Sequence, residues 1–378
     1  MACVDSCPEK CVIPILGKDG FRYTKIESSR CTNCGKCYAV CPIDNIKKHE
    51  GQQRLYASYA KCNDVRKRGS SGGIFELLAT QFINRGFYVC GAAFEENKLF
   101  HRIVNSNSEL RALLKSKYLQ SNTSGIYDEI LALLKEEESV FFCGTPCQVS
   151  AVNNYIPEKL HHNLFTADII CHGVPSQETF DMYIESLEKK SKGKVTDFSF
   201  RVKDNKYEHA HGFTYKITQN GKTTTVNGLY PQSTFYNGFK KYLFFRQSCY
   251  DCRYSSLSRV SDITLGDFWG IEKYDFTGNT DTGVSMIITN TPKGEQAFSA
   301  LNEQVMCKEF PISYGVESNH CLTKCTDKPT DRDEIIDKLH RDGYDSTALK
   351  YFSSDITQRI YLLMPTSFRN LLRRIRRG

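Results

Sequence analysis

Residues 31–42 read Cys31-Thr-Asn-Cys34-Gly-Lys-Cys37-Tyr-Ala-Val-Cys41-Pro42, the pattern C-x2-C-x2-C-x3-C-P. A tight loop of this spacing lets three thiolates reach three corners of one iron–sulfur cubane, while the fourth serves a neighbouring cluster. Gly35 allows the backbone to wrap close enough for amide N–H groups to reach cluster sulfurs. Zinc sites more often use two separated cysteine pairs, so the spacing points to iron and sulfide.

The first ten residues, MACVDSCPEK, repeat the end of that pattern: Cys3-x3-Cys7-Pro8 parallels Cys37-x3-Cys41-Pro42. By the reciprocal ligation of two-cluster ferredoxins, Cys7 is expected to close a 4Fe–4S cubane with Cys31, Cys34 and Cys37. Cys3 and Cys41 are then left to a second cluster that lacks its first two cysteines. Cys11 is read as a free thiol. Either Met1 is an internal methionine of a longer chain, or one of two clusters has been lost.

A second set of cysteines is scattered: Cys143 and Cys147 in CGTPCQ, Cys171 in DIICHG, and Cys249 and Cys252 in SCYDC. Packing is the usual fate of a single cysteine. Five of them beside glycine, proline and paired spacing point to a metal site assembled where a parallel sheet brings its strand ends together. Cys62, Cys90, Cys307, Cys321 and Cys325 have no such context. His161-His162 and His209-x-His211 read as solvated loop histidines, and no Ser-His-Asp pattern is present. RKRGSSGGIF places basic residues, Ser70, Ser71, Gly72 and Gly73 just before a helical pattern. That run suits either a phosphate on a helix N-terminus or plain capping by one of the serines.

The elements that must carry these residues alternate. Residues 1–50 form a small cysteine-rich domain and 51–68 a connecting segment. From about 70 the pattern is helix and strand in turn: helix 70–86, strands in FYVCGAAF and LFHRIVN, and an amphipathic helix at 124–137. Buried strands follow in SVFFCG and LFTADII, a helix in SQETFDMYIESLEKKS, and a hairpin turning at NGK (220–222). Further strands lie in DITLGDFWG and GVSMIITNT, with a helix around PKGEQAFSALNEQ. The fold class is α+β, a ferredoxin-like domain followed by a larger mixed α/β domain.

Seventeen cysteines in 378 residues, odd in number and clustered, with no apolar leader, argue against a disulfide framework. No apolar run of spanning length is present, and the expected location is the cytoplasm. The net charge of +7 owes most to the last ten residues, which hold five arginines and no acid. The balanced remainder argues against nucleic acid as a partner. In that tail Phe368, Leu371, Leu372 and Ile375 share a helical face, a candidate for peripheral contact with an anionic membrane.

SSGGIFELLA (70–79), SKYLQS (116–121), FFCGTPCQVSAV (141–152), DIICHGVPS (168–176), SCYDCRYS (248–255) and DITLGDFWG (262–270) together resemble the beta-subunit family of coenzyme F420 hydrogenases and dehydrogenases, over roughly residues 50–320. The front end is similar to the ferredoxin domain often fused to that family. The resemblance implies parts at 51–160 and 161–325, followed by a helical basic tail at 326–378. It implies an FAD-dependent oxidoreductase that passes electrons between a small-molecule hydride carrier, F420-like or another conjugated compound, and 4Fe–4S clusters, with a redox protein or ferredoxin as partner. The alternative is a non-catalytic electron-transfer subunit that needs a partner enzyme. It also implies an internal cluster on Cys147, Cys171, Cys249 and Cys252, with Cys143 left to packing. Flavin contacts are expected from Ser70, Ser71, Gly72 and Gly73, and from Lys117 and Tyr118. The chain departs from the family in its half-missing first motif and in a serine run one residue short.

Overall fold

A computed structural model describes residues 1–49, 51–203, 212–365, 368, 369 and 372. His209, His211 and most of the arginine-rich arm after 365 lie outside the described residues.

The N-terminal domain is a hairpin, β1 (Val12–Leu16) against β2 (Arg22–Ile26), between two short helices, Ala2–Asp5 and Lys36–Ala39. Its core is small, built on Cys7, Cys11 and Val12 with Cys31 and Cys37 packed against them. The domain is docked on the body. Gly125 N donates to Asp5 Oδ2 at 3.0 Å, Arg246 Nη1 to the Arg22 carbonyl at 2.9 Å, and Asn154 Nδ2 to the Asn45 carbonyl at 2.7 Å.

The body is built on strands β3 (Arg54–Ala60), β4 (Tyr88–Glu95), β5 (Lys98–Val104), β6 (Val140–Gly144), β7 (Leu164–Ile169), β8 (Lys194–Val202), β9 (Gly212–Gln219), β10 (Lys222–Leu229), β11 (Ile263–Asp267), β12 (Ser285–Thr289) and β13 (Val305–Phe310). Eight of them form one sheet in the order β13-β3-β12-β11-β7-β6-β4-β5. Its centre, β4-β6-β7-β11, is parallel, and both flanks are antiparallel. The parallel strands carry the unbroken apolar runs expected of strands covered on both faces: Val140, Phe141 and Phe142 are fully buried, as are Ile287 and Ile288 of the adjoining β12. The stretches 51–160 and 161–325 contribute strands to this same sheet.

Arg54–Ala60, inside the segment expected to connect domains, is instead an inner strand of that sheet. Two alanines and a serine interrupt its larger apolar residues, and Arg54 and Lys61 flank it, so the run looks weak in the sequence although Leu55, Tyr56, Ala57 and Ala60 are buried. The helix expected over 70–86 begins later, at Ile74–Ile83, because Gly73 sits at φ +85°, a left-handed conformation that cannot extend a helix.

A second layer holds the three-stranded sheet β10-β9-β8, whose hairpin turns at Asn220 and Gly221, both at positive φ. It packs on the helix Gln177–Ser191 through an aromatic core that includes Phe180, Tyr183, Phe198, Phe200 and Phe235. The C-terminal helices Arg332–Asp342 and Tyr344–Tyr351 close the same core through Ile335, Leu339 and Phe352. Among the described residues, no helix is long and apolar enough to cross a membrane.

Candidate functional site

A cavity of about 2150 Å³ opens at the carboxyl ends of β6, β7 and β11. That is where an open sheet with a parallel centre leaves a crevice for ligands. Three walls carry chemistry.

The first wall is cysteine. Cys147 stands in the first turn of the helix Pro146–Tyr155, just past the end of β6, with its sulfur 3.2 Å from Thr145 Oγ1. Cys171 follows the end of β7, and Cys249 and Cys252 lie on the loop around the short turn Gln247–Cys249. All four line the cavity. Burial pushes the Cys171 thiol well up, and the Cys249 and Cys147 sulfurs facing it add to the rise. Cys249 is pushed up to about 12 by burial and then by Cys147. The four sulfurs therefore feel one another, yet no three of them come within 4.8 Å among the described residues. Sulfurs on one tetrahedral zinc stand roughly 3.8 Å apart, given Zn–S bonds of about 2.3 Å. A cubane spreads its irons over separate corners, so its four sulfurs stand further apart than the ligands of a single ion. Cys143 also lines the cavity but lies apart from this group. Its thiol is pushed up to about 12 by burial and then by Asp168, which is not a cysteine neighbour.

The N-terminal domain presents two faces. Cys7, Cys31 and Cys37 sit together in its core, and Cys34 is exposed. Burial alone would raise the Cys7 thiol, but amide donors from Cys11, Val12 and Glu9 and the Cys11 side chain bring it down to about 7. Cys11 Sγ lies 3.4 Å from Cys7 Sγ, and its own thiol is raised to about 11, chiefly by that contact. Cys11, expected to be a free thiol, is thus drawn into this cysteine group. Asn33 and Gly35 take positive φ, which turns the loop between the three cysteines back on itself. Cys3 and Cys41 line the cavity with the four body cysteines, and Cys3 also packs against the core of Cys7, Cys11 and Val12.

The second wall is the start of the helix Ile74–Ile83. Neither serine caps it. Ser70 Oγ accepts from Ser116 N at 2.6 Å, Ser71 Oγ donates to the Val284 carbonyl at 2.9 Å, and the N-cap is Gly73. The uncapped turn leaves backbone N–H groups without side-chain partners, and Ser70, Ser71 and Gly73 line the cavity. Gly72 does not. Its N–H donates to Ser285 Oγ at 2.9 Å, and a Cβ there would lie 2.4 Å from the Ser58 carbonyl, so its smallness serves packing against β3.

The third wall is cationic and aromatic. Lys117 donates to the Leu114 carbonyl at 2.7 Å, and burial lowers it to about 7. Lys203 does not line the cavity but lies behind it, donating to the Arg66 and Ser71 carbonyls, and burial lowers it to about 7. Tyr118, half-buried, packs in a ring cluster with Phe200, Tyr236 and Phe239. Arg201, at φ +56°, forms a buried bidentate pair with Asp267, and its guanidinium lies 5.6 Å from the Trp269 ring. Sequence reasoning misses Arg201, Asp267 and Trp269 as site residues. The last two stand inside DITLGDFWG, which signals them. Arg201 sits in an ordinary alternating strand and gives no signal.

Lys117 offers a pH test. An unfolded lysine titrates at 10.5 and the buried one at about 7, so between those values the unfolded chain binds more protons and stability rises with pH. The penalty is complete below about pH 7 and absent above about 10.5. Lys117→Met should therefore raise the urea midpoint most at pH 6, less at pH 8 and least at pH 10. An equal gain at all three would contradict the burial.

Comparison with known proteins adds the following. Residues 137–313 match the family model for the C terminus of the coenzyme F420 hydrogenase/dehydrogenase beta subunit, and residues 1–45 match the model for a 4Fe-4S dicluster domain. A ferredoxin of Mycolicibacterium smegmatis is 32% identical over 81 residues, 21% of this chain and 72% of that protein. A ferredoxin of Saccharopolyspora erythraea is 32% identical over 74 residues, 19% of this chain and 65% of that one. A chain of the F420-reducing [NiFe] hydrogenase complex from Methanosarcina barkeri superposes with a TM-score of 0.44 at 15% identity, over 80% of this chain and 91% of that one.

Proposed function

We propose, from the match of residues 137–313 to the C terminus of the coenzyme F420 hydrogenase/dehydrogenase beta subunit and of residues 1–45 to a 4Fe-4S dicluster domain, that the chain binds FAD in the large cavity and relays electrons between a hydride carrier and its clusters. The observation that carries this reading is the meeting, in one cavity, of an uncapped helix start with four inward-facing cysteines. FAD, when bound, takes up two electrons as hydride and releases them singly, matching the one-electron capacity of a cubane.

The chain's own residues have distinct tasks. Ser70, Ser71 and Gly73 would hold the flavin pyrophosphate on the free N–H groups of the helix Ile74–Ile83. Lys117, at about 7, would supply positive charge once an anion enters and favours its protonation. Tyr118 and Trp269 offer ring surface, and the Arg201–Asp267 pair fixes a polar point among those rings. Cys147, Cys171, Cys249 and Cys252 would hold the internal cluster. Cys7, Cys31, Cys34 and Cys37 would hold the outer one, whose exposed Cys34 loop suits docking by a redox partner protein. Cys3 and Cys41 stand between the two sets, where they would contribute to a second ferredoxin-type cluster only with further ligands. The reading carries a cytoplasmic location, because such thiolates need a reducing compartment.

The test is anaerobic purification of the full chain and mixing with a reduced deazaflavin, reduced nicotinamide or reduced ferredoxin. Oxidation of one of these, coupled to reduction of a viologen, is the expected result. A chain that retains FAD and clusters but oxidises none of them would favour an accessory electron-transfer role, and one that takes up no FAD would overturn the reading.

A further inference from the structure

One other group of ligand atoms converges outside the cysteine four. Among the described residues, a ring nitrogen each from His172 and His320 and the sulfur of Cys321 lie within 4.8 Å of one another. His320 Nε2 is 3.2 Å from Cys321 Sγ, and the two imidazoles meet edge-on with centroids 5.6 Å apart. A nitrogen and a sulfur bound to the same tetrahedral zinc, at about 2.0–2.1 Å and 2.3 Å, stand roughly 3.6 Å apart. The observed separation is within a small side-chain rotation of that value.

The surroundings hold the group in place. Thr326 Oγ1 donates to the His172 carbonyl at 2.7 Å, and Asn319 Nδ2 to the Asp267 carbonyl at 2.9 Å, which pin the segment 319–326 to the ends of β7 and β11. Cys321 is buried and His320 exposed, so an ion could enter from solvent and be anchored from within. The site adjoins the cysteine four, with Cys252 among the groups that raise the Cys321 thiol, but shares no residue with it. Cys171 turns toward Cys249 and Cys147, while the next residue, His172, turns toward His320. Two imidazoles and one thiolate are ligands of borderline softness that suit zinc and leave a fourth position open.

We propose that His172, His320 and Cys321 bind one zinc ion, which clips the 319–326 segment to the loop that carries Cys171. The clip would brace a ligand of the internal cluster without being part of it.

The experiment equilibrates anaerobically purified full-length protein with zinc chloride, desalts it, counts zinc and iron, and records the zinc K-edge absorption. Wild type should keep about one zinc per chain with two nitrogens and one sulfur in its shell. His320→Ala, a change at an exposed position, should lose that zinc while keeping the same iron content, and His162→Ala should lose neither. Zinc below about one-tenth of an equivalent in wild type would overturn the proposal, as would full retention in His320→Ala or an all-sulfur shell. Iron content tells this failure apart from failure of the cluster reading, because loss of the cysteine four would lower iron and leave the histidine-bound zinc.

Discussion

Cys171→Ser should yield a folded protein that retains its flavin but has lost about four of about eight iron atoms and no longer reduces a viologen at the expense of a hydride donor. The expectation rests on where the sulfur points. Cys171 follows β7 directly and faces Cys249, Cys147 and Cys252 across the cavity wall. Serine nearly keeps the volume, so packing changes little, but an alcohol at this pH does not offer the anionic sulfur an iron corner needs. Cys143→Ser is the informative comparison. Cys143 lines the same cavity and is also held neutral by burial, but its charged neighbours are Asp168 and Lys117 rather than the other sulfurs. It should keep all its iron. Equal iron loss in the two variants, measured as iron and acid-labile sulfide per chain, would dissolve the assignment of four ligands.

The second large effect belongs to the N-terminal domain. The pair Cys7→Ser with Cys11→Ser should remove about four iron atoms and abolish transfer to an external protein acceptor, while bleaching of the bound flavin by a hydride donor persists. Both residues are changed because their sulfurs are 3.4 Å apart and a single serine would leave a thiol within reach. Cys7 carries the more anionic sulfur of the two, at about 7, because backbone amides of Cys11, Val12 and Glu9 point at it. Cys3→Ser should change iron content little, since Cys7 and Cys11 are the buried sulfurs beside Cys31 and Cys37, while Cys3 packs at the edge of that core and also lines the cavity. Equal iron loss from Cys3→Ser and from the double variant would show that the ligands have been wrongly divided between clusters.

What could be seen in the sequence depended on range. The run Cys31–Pro42 declares its chemistry because its ligands are local, and loop geometry follows from spacing alone. Cys147, Cys171, Cys249 and Cys252 are distant in the chain. Their spacing says little, and it takes six ordered motifs to single them out of seventeen cysteines. Strand order is not legible at all. Nothing local shows that Arg54–Ala60 slots between β13 and β12, because the choice of neighbouring strands is made by contacts between residues far apart in the chain. Ser70, Ser71, Gly72 and Gly73 look like one ligand-binding run, yet only three of them reach the cavity, and Gly72 answers to the backbone of Ser58 behind it. His172, His320 and Cys321 meet only through the packing of segment 319–326 on the sheet ends, a contact that no spacing encodes.

The most direct measurement is the count of iron, acid-labile sulfide and flavin in the anaerobically prepared full chain. About eight iron and eight sulfide per chain with one FAD is the expected result, two cubanes and one flavin, and about twelve iron would add a filled site at Cys3 and Cys41. A colourless protein that holds only zinc, and takes up neither iron nor flavin on anaerobic reconstitution, would contradict the account.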